Sequence, residues 1–197
     1  RRRTFEDHTA KLYLDSKPLQ EENWKELMRR LKKGVTKAVR KVDKGRIEAL
    51  FSKMEESLLR LRELCRIEEK EFLSERNWQA RSLVEHHLRI AIEAALDVGR
   101  HIIAAKGLGT PEEYREIIKI MGEKGIIPED LADGFAAYAG LRNVLVHLYW
   151  KIDYRRLHEI ITRELSLFDQ YAQRIAEYLE KEVKGGRRSR EESMLSN

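Results

Sequence analysis

From Ile47 onward, Leu50, Phe51, Met54, Leu58, Leu61, Cys65 and Phe72 recur at intervals of three, four or seven residues. That spacing lines up one face of an α-helix and no face of a β-strand. It predicts one amphipathic helix of about 26 residues, whose stripe must be buried against other helices. Ser74 is placed to cap a second helix, with Trp78, Val84, Leu88, Ile92, Ala95, Ile102 and Ile103 on its apolar face as far as Gly107. The short connection makes it antiparallel to the first. Thr110-Pro111-Glu112-Glu113 reads as a helix start, with a capping Thr, Pro at the first helical position and acids at the positive end of the helix dipole. This third helix runs to about Gly122. Gly125 and Pro128 bracket the next turn, and Glu129 to Tyr149 continues as helix with Gly140 as the point where it would break. Asp153 caps a last helix carrying Leu157, Ile160, Ile161, Leu165, Phe168, Ala172, Ile175 and Leu179. No alternating run competes, and no repeat recurs at the spacing of a solenoid. The expected architecture is all-α, an up-and-down antiparallel bundle of four to five helices with short connections.

The composition fits: 42% hydrophobic residues fill one core over 197 residues, and 37% charged residues with three prolines suit solvated helices. A net charge of +5 invites a polyanion partner until its location is read. Residues 1–46 hold 15 Lys/Arg against 7 Asp/Glu, residues 184–197 hold 4 against 2, and the segment between holds 20 against 25. The basic character belongs to the ends, so no basic domain face follows from it. The charge change and the glycines Gly34 and Gly45 predict a basic N-terminal appendage over 1–45, a bundle domain over 46–184 and a flexible tail over 185–197. Within the appendage, Leu19 to Val42 has a short stripe of Trp24, Leu27, Met28, Leu31 and Val35. No window approaches the roughly 18 uninterrupted apolar residues of a membrane span. The start Arg1-Arg2-Arg3-Thr4-Phe5-Glu6-Asp7 runs into acids rather than an apolar signal core. With Cys65 alone and on an apolar stripe, a reducing cytoplasm is expected.

Chemistry concentrates in Arg142-Asn143-Val144-Leu145-Val146-His147-Leu148-Tyr149. On a helical wheel Val144, Leu145 and Leu148 fall on one side, and Arg142, Asn143, Val146, His147, Tyr149 and Trp150 fall on the other. Asn143 and His147 are four apart, so the amide can orient the imidazole, while Arg142 and Tyr149 are seven apart and stack along one line. Arg142 and His147 diverge by about 140° around the axis, so a single helix does not aim both at one small target. A symmetric dimer in which two such faces line one cleft would supply the missing half. Without a metal, an arginine and a histidine suit cleavage of RNA through its own 2′-hydroxyl. His147 would move a proton near neutral pH, and Arg142 would clamp the phosphate as charge grows on its oxygens. The same residues also fit a hydrogen-bonded interface. His86, His87, His101 and His158 read as helix-face residues, no zinc or di-iron spacing is present, and no cofactor is expected. Gly107-Leu108-Gly109-Thr110 lacks the Gly-Lys of a phosphate loop.

The run Gly140 to Trp150, with Arg, four residues, His, one residue and Tyr, resembles the signature of the HepT toxins of the HEPN superfamily. Ala91 to Gly99 with His101-Ile102-Ile103, and Gly107 to Tyr114, extend the similarity over about residues 47–180. The resemblance implies a bundle that dimerises through the motif helix and a ribonuclease site shared across that dimer. It also implies a minimal nucleotidyltransferase antitoxin as partner. Carried over by position, Arg142 and His147 are the catalytic pair, Asn143 is the polar neighbour that orients them, and Tyr149 is the hydroxyl that receives AMP. The group so added would place bulk and negative phosphate where an RNA phosphate should sit. The competing expectation is a non-catalytic module that binds a nucleotide or a nucleotidyltransferase through the same face.

Overall fold

The computed structural model describes residues 21–34 and 43–195. Eight α-helices carry the fold among them: α1 (Glu21–Gly34), α2 (Lys44–Leu64), α3 (Glu69–Phe72), α4 (Trp78–Lys106), α5 (Tyr114–Glu123), α6 (Glu129–His147), α7 (Tyr154–Glu159) and α8 (Ser166–Leu195). No strand occurs among the described residues.

Asp43 starts α2, its carboxylate accepting from Arg46 N at 3.1 Å, and Ile47, Phe51, Met54, Leu58 and Leu61 are fully buried. The long first helix expected through Phe72 instead ends at Leu64. The stripe explains the break, because after Cys65 its next member is seven residues away. Turning there lets Phe72 pack against the His158 ring, 5.3 Å between centroids, and lets Ile67 O accept from His158 Nε2 at 2.8 Å. Ser74 caps a single 3₁₀ turn, Glu75–Asn77, from which α4 continues. Trp78, expected on the apolar face, is 59% exposed because the core-facing stripe begins at Ala80.

Gly107 closes α4 in the left-handed region at φ 65°, where a side chain would be strained. Asp43 N donates to His101 Nε2 at 2.8 Å, so the start of α2 lies beside the end of α4 and the pair is antiparallel. Tyr138 lies near Glu164, and Phe135 near Phe168 and Tyr171, which runs α6 against α8. The major helices α1, α2, α4, α6 and α8 thus alternate in direction, the up-and-down order expected.

Phe135, Tyr138, Phe168 and Tyr171 form an aromatic cluster with centroid separations of 4.8–5.4 Å. The fully buried Tyr171 hydroxyl donates to Ala95 O at 2.8 Å, and burial pushes its ionisation far up, so it remains a donor. Gly99 lets α5 approach: a Cβ there would meet Met121 Sδ at 2.5 Å and Ile117 Cγ2 at 2.8 Å.

Trp24 and Leu27, expected within an appendage, are buried in the core. Trp24 is fully buried and donates its indole N–H to Asp169 Oδ1 at 3.0 Å. Arg62 Nη2 reaches both oxygens of the same carboxylate at 2.6 and 2.7 Å, and Arg30 pairs with Glu180 at 2.9 Å. The short stripe of Trp24 and Leu27 suffices because it falls against α8 and is completed by these charges. Val35 and the basic stretches 1–20 and 35–42 lie outside the described residues. At the other end, α8 carries through Gly185 and Gly186 to Leu195 where a tail was expected. A glycine inside a helix costs only about 1 kcal/mol, too little to force a stop.

Helix α5 begins at Tyr114 and not at Pro111. Glu116 reaches back to accept from Glu112 N at 2.7 Å, which sets the start later than the Thr-Pro signal does. Helix α6 passes through Gly140 unbroken and ends at His147, followed by a 3₁₀ turn at Tyr149–Lys151. Asp153 then caps α7, accepting from Arg155 N and Arg156 N at 3.0 and 3.2 Å, and Ile160–Glu164 forms a π-helical segment before α8.

If α1 is an integral layer, Trp24→Ala should destabilise the whole chain by about 3–5 kcal/mol, seen as one urea transition at lower midpoint. An unchanged midpoint would detach α1 from the cooperative core.

Candidate active site

The last turn of α6 presents Arg142, Asn143 and His147 at the surface while Leu145 turns inward. Asn143 and His147 are exposed, whereas the Arg142 side chain is only 14% exposed. Its guanidinium is held on three sides. Nη2 pairs with Glu93 Oε1 of α4 at 3.2 Å, the Cζ atom lies 4.5 Å above the centre of the Tyr114 ring, and Nη1 lies 3.4 Å from His147 Nε2. Glu93 is itself fixed, its other oxygen accepting from Arg89 Nη1 at 3.2 Å. Arg142 Nε is buried with no hydrogen-bond partner.

This geometry corrects two expectations. The wheel implied that a single helix does not aim Arg142 and His147 at one small target, yet the two side chains lie 3.4 Å apart within one chain. The long arginine side chain crosses the gap that the backbone angle leaves. The wheel also stacked Arg142 along Tyr149, but α6 stops at His147 and Leu148 takes φ −126°, ψ 39°. Tyr149 therefore leaves the helical line and meets Trp150, ring centres 5.3 Å apart and nearly perpendicular, while Tyr114 takes the place beside the guanidinium.

An arginine only donates hydrogen bonds, so this contact is a hydrogen bond when His147 Nε2 accepts, the tautomer with the ring proton on Nδ1. With Nη2 engaged and Nε buried, Nη1 is the donor edge beside the exposed imidazole. One fixed positive donor thus adjoins one proton acceptor, a pairing suited to an anion whose neighbouring hydroxyl is to be deprotonated. The Tyr149 phenol, 70% exposed, stands two residues beyond His147.

Glu93 and Tyr114 were not singled out from spacing, because they come to Arg142 from other helices, and Arg89 reaches the site only through Glu93. Among the described residues the other histidines occupy helix faces: His86 and His87 pack edge to face at 5.1 Å, and His101 and His158 bond to backbone. Burial, more than the neighbouring His86, pushes the His87 ionisation down. No group of three or more His, Cys, Asp or Glu that could hold a metal ion occurs among the described residues. Nor is any helix among them long and apolar enough to cross a membrane.

Fold and site together define an all-α bundle with an arginine-histidine pair at the end of a surface helix. Residues 54–175, more than half of the chain, match the model of the family described as Ribonuclease HepT-like. The chain belongs to that family. The mRNA nuclease HepT of Shewanella oneidensis is 27% identical over 85 residues, 43% of this chain and 64% of that protein. The tRNA nuclease HepT of Aphanizomenon flos-aquae is 29% identical over 103 residues, 52% of this chain and 70% of that protein. Among solved structures, the Bacillus subtilis cytosolic protein YutE superposes with a TM-score of 0.62 at 23% identity, covering 72% of this chain and 94% of that one. The tri-AMPylated HEPN toxin of Shewanella oneidensis, solved in complex with its MNT antitoxin, gives 0.60 at 21%, covering 66% and 96%. Both share the helical fold. The family match begins after α1 and the first half of α2, so the docked N-terminal helix lies beyond it.

The ion pair between α4 and α6 has a measurable consequence. Glu93→Ala should lose on the order of 1 kcal/mol, the pair being only partly exposed, or roughly 2–4 °C of Tm for a chain of this length. A cycle of Glu93→Ala, Arg142→Ala and the double variant should show positive coupling in thermal melts. Strict additivity would mean that the two side chains do not hold one another.

Proposed function

We propose that this chain is the ribonuclease toxin of a toxin-antitoxin pair, cutting RNA without a metal and silenced by AMP transfer to Tyr149. The observation that carries this reading is the contact of Arg142 Nη1 with His147 Nε2, at the surface and braced from behind by Glu93. It is supported by membership of a family described by ribonuclease activity and by relatives named as mRNA and tRNA nucleases.

In the proposed reaction the His147 Nε2 lone pair removes the proton of a 2′-hydroxyl, and O2′ attacks the adjacent phosphorus. Arg142 Nη1 donates to the phosphoryl oxygen on which charge accumulates. The bond from phosphorus to O5′ then breaks, the leaving oxygen takes a proton, and a 2′,3′-cyclic phosphate and a 5′-hydroxyl remain. A homodimer that faces two α6 ends across one cleft would set a second imidazole on the leaving-group side, so that one histidine accepts a proton while the other returns one. Asn143, exposed on the same turn, is the polar neighbour that would keep the imidazole oriented.

Tyr149 is open to a modifying enzyme, and an adenylate on its oxygen, two residues beyond His147, would add bulk and a negative phosphate that repels and blocks RNA. A nucleotidyltransferase partner is the source proposed for that group, as in the relative solved with an MNT antitoxin in its tri-AMPylated state. We place the pair in the cytoplasm, where its RNA would be found.

Cleavage of RNA by the purified chain in EDTA should fall by at least about 10²-fold in Arg142→Ala and in His147→Ala. Tyr149→Phe should still cut, yet gain no adenylate mass when incubated with ATP, magnesium and the partner nucleotidyltransferase. Wild-type cleavage by His147→Ala would overturn the assignment. A stable partner complex with no cleavage by the wild-type chain would favour the binding module instead.

A further inference from the structure

Tyr149 and Trp150, at 70% and 65%, are the most exposed large hydrophobic side chains among the described residues. Leaving an indole in water forgoes favourable burial, and a lone exposed aromatic needs no explanation. Two adjacent ones on a fixed turn beside a candidate phosphate site do. The turn is tied at both ends: Leu148 N donates to Val144 O at 3.1 Å and Lys151 N to Leu148 O at 2.7 Å, after which Asp153 caps α7. Leu148 and Ile152 are half-buried on either side, so the backbone is anchored while the two rings between them stand outward. Their perpendicular contact braces each ring against the other.

The surroundings select the occupant. The same turn carries the exposed Lys151, and the preceding one carries Arg142, Asn143 and His147, so the rings form an aromatic island among cations and polar groups. A protein partner would call for a broader apolar surface around it. A strand that alternates phosphates with flat bases matches both halves, its phosphate going to the cations and its base to the ring face. A base inside a duplex has both faces covered by its neighbours, so only an unpaired base could use the platform.

We propose that Trp150, braced by Tyr149, is a stacking subsite for one unpaired nucleobase next to the phosphate held at Arg142 and His147. This rests on the ribonuclease reading for its phosphate, but stacking is measurable without cleavage. The chain has three tryptophans. Trp24 is buried, so Trp78→Phe leaves Trp150 as the exposed emitter. In the full chain carrying Trp78→Phe and His147→Ala, single-stranded oligouridylate should quench that emission, and an oligo(A)·oligo(U) duplex should not.

Adding Trp150→Ala should weaken binding of a dye-labelled oligouridylate, read by fluorescence anisotropy, by about 5- to 150-fold, whereas Trp150→Phe should retain most of it and Trp150→Leu should not. Circular dichroism and the buried Trp24 emission confirm folding of each variant. Equal binding by Trp150→Ala, equal quenching by the duplex, or Leu serving as well as Phe would overturn the proposal. So would Trp150→Ala changing the assembly mass while leaving RNA affinity intact, which would make the ring a protein contact. Because binding and cleavage are read separately, Trp150-dependent binding together with no cleavage by the chain that keeps His147 would refute the ribonuclease reading alone. Cleavage that ignores Trp150 would refute the subsite alone.

Discussion

The ion pair of Arg142 with Glu93 is the contact through which the site depends on the fold. A guanidinium left only 14% exposed is costly without a counter-charge, and Glu93 supplies it from another helix at 3.2 Å. Tyr114 offers its ring from a third, so α4, α5 and α6 converge on one side chain. What remains outward is a single donor edge next to an imidazole. Loss of any of these helix placements would let a long, flexible side chain wander from its histidine.

The bundle makes those placements rigid. Phe135 and Tyr138 seat the body of α6 in the aromatic cluster with Phe168 and Tyr171. The Tyr138 hydroxyl donates to Glu164, which Arg156 also binds through both of its terminal nitrogens, at 2.5 and 2.9 Å. Glycine at position 99 lets α5 lie close on α4, and the late start of α5 makes Tyr114 its first residue. The final turn of α6 is therefore a projection from a packed helix, and chemistry at its tip inherits the order of the core.

Much of this was legible in the residues. The three- and four-residue spacing foretold the helices and their alternation, because a buried stripe leaves the same mark wherever it packs. Helix ends were harder. A capping signal at Thr110-Pro111 lost to Glu116 reaching back along the chain, and a stripe drawn from Ile47 to Phe72 hid the turn after Leu64. The arginine and histidine were singled out by spacing and resemblance, but their meeting was not: a wheel records where Cα atoms point and ignores the reach of a guanidinium. Glu93 and Tyr114 lie in stretches that carry the resemblance, but nothing local marks them as partners of Arg142, since that partnership exists only across helices. Trp24 belonged to a stripe too short to distinguish a docked helix from a solvated one, and its partner Asp169 lies far along the chain.

The central claim is that Arg142 and His147 act on one phosphodiester through the ribose hydroxyl beside it. It is tested most directly by the ends produced from an RNA bearing a single 2′-O-methyl group at the cut position, set against the unmodified strand. The account expects the unmodified strand to yield a 2′,3′-cyclic phosphate and a 5′-hydroxyl, and the methylated position to resist. Cutting at the methylated position, or products ending in a 3′-hydroxyl and a 5′-phosphate, would contradict it.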